Sequence, residues 1–208
     1  MAEYILIGGG GFARELYDWF TPSLTASGSC FIGYLDDGDA PLRAYSHPLP
    51  QLGTIAGYKP GNPDHKLVMA IGSPAGKQKI VEQLGPEQFA TLIHPTAWVS
   101  ASAHIAQGSI VGVFSIVSSY AVLDEMVTVN CHSSVGHDVH LASYVTLSSH
   151  VDITGGASVG TATFVGSGAR LLPRTHVGNY CTIGAGSTIV RSTQDHTTMY
   201  ATPARKLQ

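Results

Sequence analysis

Gly136-His137-Asp138 sets a carboxylate beside an imidazole, a pairing suited to general base chemistry near neutral pH. The acid can orient the ring or raise its basicity, and the ring can take a proton from an attacking amine. The chain has 10 histidines, and two others invite a metal reading: His132 lies five residues before His137, and His150 lies 18 after His132. A second kind of chemistry is written near the N-terminus. Gly8-Gly9-Gly10-Gly11 follows the apolar run Glu3-Tyr4-Ile5-Leu6-Ile7 and precedes a helical pattern from Phe12 to Phe20. Bare backbone N–H groups at Gly10 and Gly11, together with a helix N-terminus, favour an anion such as phosphate. Gly8, Gly10 and Ala13 also read as G-x-G-x-x-A, a weak dinucleotide signal on its own. The plainer alternative is a tight strand-to-helix turn. Asp36 and Asp37, closing the run Phe31-Ile32-Gly33-Tyr34-Leu35, can accept hydrogen bonds from a ribose or base, or can form a solvated turn.

Two kinds of architecture must position these residues. From Ile93, Val99 and Ile105 through to Ile183 and Ile189, every sixth residue is Val, Ile or Leu, 17 in succession. If about a quarter of residues were of these types, chance would produce the run with probability on the order of 10^-10, so it is a structural repeat. The residues two positions earlier are nearly all small, as at Ala97, Ala103, Ser109 and Ser115. A period of six fits neither a helix nor a simple half-buried strand. It fits a parallel β-helix of short strands and tight turns around a thin aliphatic core. The first part of the chain is built otherwise. Strands at Glu3 to Ile7, Phe31 to Leu35 and Lys66 to Ile71, with helices after Gly11 and from Pro74 to Leu84, make a small α/β domain of Rossmann-like βαβ type. It is large enough for one nucleotide and its sugar but hardly for NAD. The expected boundaries are 1–90 for this nucleotide-sugar domain and 91–208 for the β-helix with a C-terminal cap.

Composition narrows the function classes. Only 12% of residues are charged, while Gly numbers 24, which suits a protein that buries much of its surface in an oligomer. A net charge of −3 with no basic stripe argues against nucleic acid. Three cysteines, Cys30, Cys131 and Cys181, suit a reducing compartment. No run is long and apolar enough to span a membrane and no signal-peptide pattern opens the chain, so a cytoplasmic protein without membrane insertion is expected.

The hexad pattern resembles the hexapeptide-repeat family, whose coils are triangular, left-handed and three hexads long. Residues 18 apart would then stack in neighbouring coils, placing Ser119 and Gly155 on either side of His137. A glycine beside the imidazole leaves room for a reacting group and offers a bare N–H to a developing oxyanion, the arrangement acyl transfer needs. No hexad is interrupted, so the long loop that relatives often extend over the active site is missing.

With Ala70-Ile71-Gly72 and Leu92-Ile93-His94-Pro95, the chain resembles, essentially end to end, the PglD/NeuD-like bacterial nucleotide-sugar acetyltransferases, among them perosamine N-acetyltransferase. The resemblance implies a homotrimer with active sites between subunits, acetyl-CoA as co-substrate without a metal, and a nucleotide-linked amino sugar as acceptor. It implies His137 as general base with Asp138 beside it, Asn130 near the reacting amine, and the Gly155 amide facing the thioester oxygen. The small domain would hold the nucleotide sugar through Gly10, Gly11, Asp36, Asp37 and Gly72. CoA would run along the intersubunit groove past Gly155, Ser167 and Ala185, with Arg205 of the tail meeting its phosphates. Two positions depart from the family pattern: its Glu before the base is Gly136, and its second His, nine residues after the base, is Thr146.

Three other outcomes stay open. One branch of the family is linked to sialic acid O-acetylation, so the acceptor atom could be oxygen. The γ-class carbonic anhydrases use the same β-helix with two His five apart, but their third ligand falls here on Thr96, leaving a three-His zinc site incomplete. A non-catalytic sugar-nucleotide scaffold is the third, and the His137-Asp138 pair speaks against it.

Overall fold

The computed structural model describes residues 2–39, 41–59, 62 and 64–202. The N-terminal part is a four-stranded, all-parallel sheet of order β3-β2-β1-β4, with β1 (Glu3–Ile7), β2 (Cys30–Leu35), β3 (Gln51–Gly53) and β4 (His65–Met69). Helix α1 (Gly11–Ala26) follows β1, and α2 (Pro74–Leu84) follows β4. The sequence reading expected three strands, and β3 is the addition. Its three residues are half-buried or exposed and carry no apolar run that could announce it. Helix α1 also runs six residues past the expected Phe20. Pro22 lies inside it, yet the buried stripe Ala13, Leu16, Phe20 and Leu24 continues across the proline at helical spacing. Burial of that stripe offsets the local cost of a missing N–H, about 3 kcal/mol in an exposed helix interior. Strand β4 stops at Met69, two residues short of the expected Ile71.

From Leu92 the chain winds as a triangular parallel β-helix of two-residue strands. Each strand pairs with the one 18 residues on, as in Val117↔Val135↔Ile153. The first face stacks seven strands from Leu92–Ile93 to Thr198–Met199, the second six from Trp98–Val99 to Thr188–Ile189, and the third five from His104–Ile105 to His176–Val177. The aliphatic column points inward, and from Val111 to Ile189 its members are buried. The first coil departs from that pattern. Ile93 is 43% exposed, because no rung lies beneath it. At the other end Thr182 pairs with Thr198, so the last step is shorter than 18 residues and the repeat gives way to a cap.

Each corner turns on one residue of positive φ, three places after the inward aliphatic, from Phe114 at 55° through Asp138 at 58° to Tyr180 at 54°. Where it is not glycine, the left-handed conformation costs about 1–2 kcal/mol. The regular ladder and buried column offset that cost.

The small domain packs on the outside of the first face. Leu92 and Ile110 share a buried cluster with Leu6, Phe20 and Val68, and Met126 packs with Ile5, Ile7 and Phe89. Lys77 of α2 is fully buried at this junction. Its Nζ donates to the Met126 carbonyl at 2.7 Å, the Val145 carbonyl at 3.0 Å and Thr128 Oγ1 at 3.3 Å. Burial pulls its pKa well below the ordinary lysine value. Among the described residues no helix is long and apolar enough to cross a membrane.

Candidate active site

The site has two halves on different edges of the prism. The first half begins where the order of the small sheet reverses. From β1 the chain moves to β2 and β3 on one side, whereas β4 lies on the other. The loops leaving β1 and β4 therefore diverge, and a crevice opens at the carboxyl ends of these strands. Gly10 and Gly72 face it: a Cβ built on either meets nothing within 4 Å. Gly10 is the N-cap of α1 and has no side-chain cap, so the first amides of the helix stay free for an anion. Gly11 adds the next turn, with only the Arg14 guanidinium 3.5 Å from an added Cβ. Gly8 and Gly9 do other work. Gly8 has φ of +103°, and a Cβ there would sit 2.6 Å from Ile71 Cδ1; one on Gly9 would sit 2.6 Å from Pro41 Cγ.

Asp36 and Asp37 hold loops. Asp36 accepts from the Gly9 amide through Oδ2 and from the Gly38 amide through Oδ1, both at 2.7 Å. Asp37 Oδ1 accepts from the Ala56 amide at 3.2 Å. Asp36 thus shapes the glycine loop from behind, with each oxygen already engaged by a backbone N–H.

The crevice opens onto the first face of the β-helix. Phe12, Glu15 and Gly72 from the small domain and Asn130, Thr146 and Phe164 from the β-helix line one cavity. A neighbouring groove continues from Gly72 to Tyr180 and Thr182. Asn130 lies on the edge between the first and second faces. Its Oδ1 accepts from the Cys131 amide at 2.6 Å, which leaves the amide nitrogen available as a donor. Ser167 and Ala185 follow in the same edge column, two and three rungs above Cys131.

His137 lies on the next edge, between the second and third faces. Its Nδ1 is 2.7 Å from Asp138 Oδ2, and both side chains are largely exposed. The carboxylate can only accept, so Nδ1 carries the hydrogen and Nε2 keeps the lone pair of a base. The ring lies over Gly155, where an added Cβ would stand 2.4 Å from Nε2. Among the described residues the Gly155 N–H has no acceptor. An imidazole lone pair and a free amide donor thus share one rung step. The glycine at 136 also has a physical reason: a Cβ there would come within 2.8 Å of the Gly155 nitrogen.

His132 and His150 stack on each other with centroids 5.0 Å apart, below them Phe114, on the Asn130 edge. His137 is on the other edge, and no group of three potential metal ligands comes together among the described residues. Arg205 lies outside the described residues. Sequence reasoning named His137, Asp138, Gly155, Gly10, Gly11, Gly72 and Asn130 but missed Phe12, Glu15, Ser148 and Phe164 as cavity walls. The outward hexad position on the face that receives the small domain was the available signal for Phe164, and the 18-residue stacking on Asn130 was the signal for Ser148.

The family model described as "Bacterial transferase hexapeptide (six repeats)" matches residues 156–191. Among solved structures, the chain is similar to the acetyltransferase domain of PglB from Neisseria gonorrhoeae FA1090, with 29% identity, a TM-score of 0.84 and 100% of both chains covered. The same domain in complex with acetyl coenzyme A matches at 29% identity and TM-score 0.81, covering 99% of this chain and 98% of that one. PerB of Caulobacter crescentus, in complex with CoA and GDP-perosamine, matches at 26% identity and TM-score 0.81, covering 99% of this chain and 97% of that one. Comparison with curated proteins returns no match. The β-helix of this chain is left-handed, and the small α/β domain precedes it.

Proposed function

We propose that this hexapeptide-repeat chain is an acetyltransferase that moves the acetyl group of acetyl-CoA to the amine of a nucleotide-linked amino sugar. The observation that carries the reading is the His137 ring, held by Asp138 and laid over the free amide of Gly155, in a chain similar over its full length to the PglB acetyltransferase domain and to perosamine N-acetyltransferase. The small domain would take the nucleotide sugar, its phosphates at Gly10 and Gly11 and its sugar toward Gly72 and Asn130. His137 Nε2 would accept the proton as the amine nitrogen attacks the thioester carbonyl. The carbon–nitrogen bond forms, and the charge moving to the carbonyl oxygen is met by the Gly155 N–H. Collapse breaks the carbon–sulfur bond, and the imidazolium returns its proton to the leaving CoA thiolate.

The two half-sites lie on opposite edges of the second face, which supports a shared site. That face and its flanking corners expose Trp98, Phe114, Ile116 and Tyr120, 44–69% accessible in the single chain. A closed threefold ring burying this face sets the His137 edge of one copy against the Asn130 edge of the next. The test is release of free CoA thiol with a panel of nucleotide-linked amino sugars, GDP-perosamine among them. His137→Ala should lower turnover by roughly 10^2–10^4 with the circular dichroism spectrum unchanged; near-normal turnover in that variant refutes the assignment.

A further inference from the structure

The hydroxyl of Thr146 is shielded from solvent and has no hydrogen-bond partner among the described residues. The residue itself is only 4% exposed. Such a group is costly in a folded protein unless something pairs with it, and a position that needed only bulk would hold a valine more cheaply. The outward column it belongs to shows the alternative, with Ile110 and Phe164 at equivalent positions of the same face. Its neighbour Thr128 is accounted for, because its oxygen accepts from Lys77 Nζ. Thr146 is not, and it lines the cavity between the two domains.

That cavity has a volume of about 140 Å³, enough for a substituent of a sugar ring but not for a nucleotide. Phe12 and Phe164 give it apolar walls, and Glu15, Asn130 and Ser148 add polar atoms around Thr146. Gly72 borders both this cavity and the larger groove beside it. The pattern is one unpaired hydroxyl set among aromatic rings, next to the open helix N-terminus expected to take phosphate.

We propose that Thr146 is a specificity-determining residue: its hydroxyl hydrogen-bonds a hydroxyl or amine on the acceptor's sugar ring, whose apolar carbons pack on Phe12 and Phe164. The assignment rests on the acetyltransferase reading.

Thr146→Val keeps the shape and removes the hydroxyl. In steady-state assays with the best acceptor of the panel, KM for the nucleotide sugar should rise about tenfold. The KM for acetyl-CoA and the kcat should change little, and Thr146→Ser should recover most of the loss. Thermal unfolding supplies the readout that a merely structural role would not move in this direction: the Val variant should melt at the same or a higher temperature. An unchanged sugar KM, or a fall in melting temperature with equal loss of kcat, overturns the subsite while leaving the acetyltransferase reading intact. If the wild-type protein neither binds nor acetylates any member of the panel, that reading fails and the subsite fails with it.

Discussion

At the scale of single residues, Gly155 shows how little separates a working site from a blocked one. Its missing Cβ is the space the His137 ring occupies, and its N–H is the donor proposed for the oxyanion. Gly155→Ala should therefore displace the imidazole without touching the aliphatic core. Because a misplacement of about 1 Å can cost a hundredfold, kcat should fall by about 10^2 while the urea midpoint stays put. Equal turnover in glycine and alanine forms would remove Gly155 from the chemistry. The His137, Asp138 and Gly155 cluster was legible in the sequence because an 18-residue spacing converts directly into contact. The unpaired hydroxyl of Thr146 was not, since it depends on which face the small domain covers. Asp36, expected either to accept from a ribose or base or to form a solvated turn, accepts from the Gly9 and Gly38 amides and so braces the glycine loop, with a lone pair on each oxygen left over.

At the scale of elements, α2 is held to the β-helix by a buried lysine. Lys77 meets acceptors from two successive rungs, at Met126, Thr128 and Val145, and the loop preceding α2 forms one wall of the cleft. Burial lowers its pKa from the ordinary 10.5. The unfolded chain therefore binds more protons than the folded one between the depressed value and 10.5, and folding stability rises with pH across that window. The unfolding free energy of the wild type, relative to Lys77→Met, should increase as pH is raised toward 10.5. A difference that is flat or falls with pH contradicts the burial-lowered pKa of Lys77. Elements differed in how plainly the sequence announced them. The β-helix is visible because its period repeats 17 times, whereas β3 is too short and too polar to stand out. Helix α1 passes Pro22 because tertiary burial of Leu24 outweighs a local breaker signal.

At the scale of the whole molecule, one chain carries the proposed base on one edge, the proposed acceptor cleft on another, and an exposed apolar face between them. Light scattering should give three times the 21.8 kDa chain mass. Trp98→Asp places a charge on the first rung of the face proposed to be shared. It should yield monomers that keep the strand signal yet lose most turnover, although Trp98 touches neither His137 nor the cleft. A monomer with full activity would refute the shared site.

The regular ladder works as a reading frame for the protein's surface. Six residues inserted between Asn130 and His137 would swing everything beyond, Thr146 and Phe164 included, by a third of a turn. Base and cleft would then no longer flank one common wall. Eighteen residues inserted at the same place would raise the base by one strand spacing, about 4.8 Å, and keep it on the same edge. Lengthening such a protein is thus a choice among three orientations, and only whole coils return its chemistry to the side from which it started.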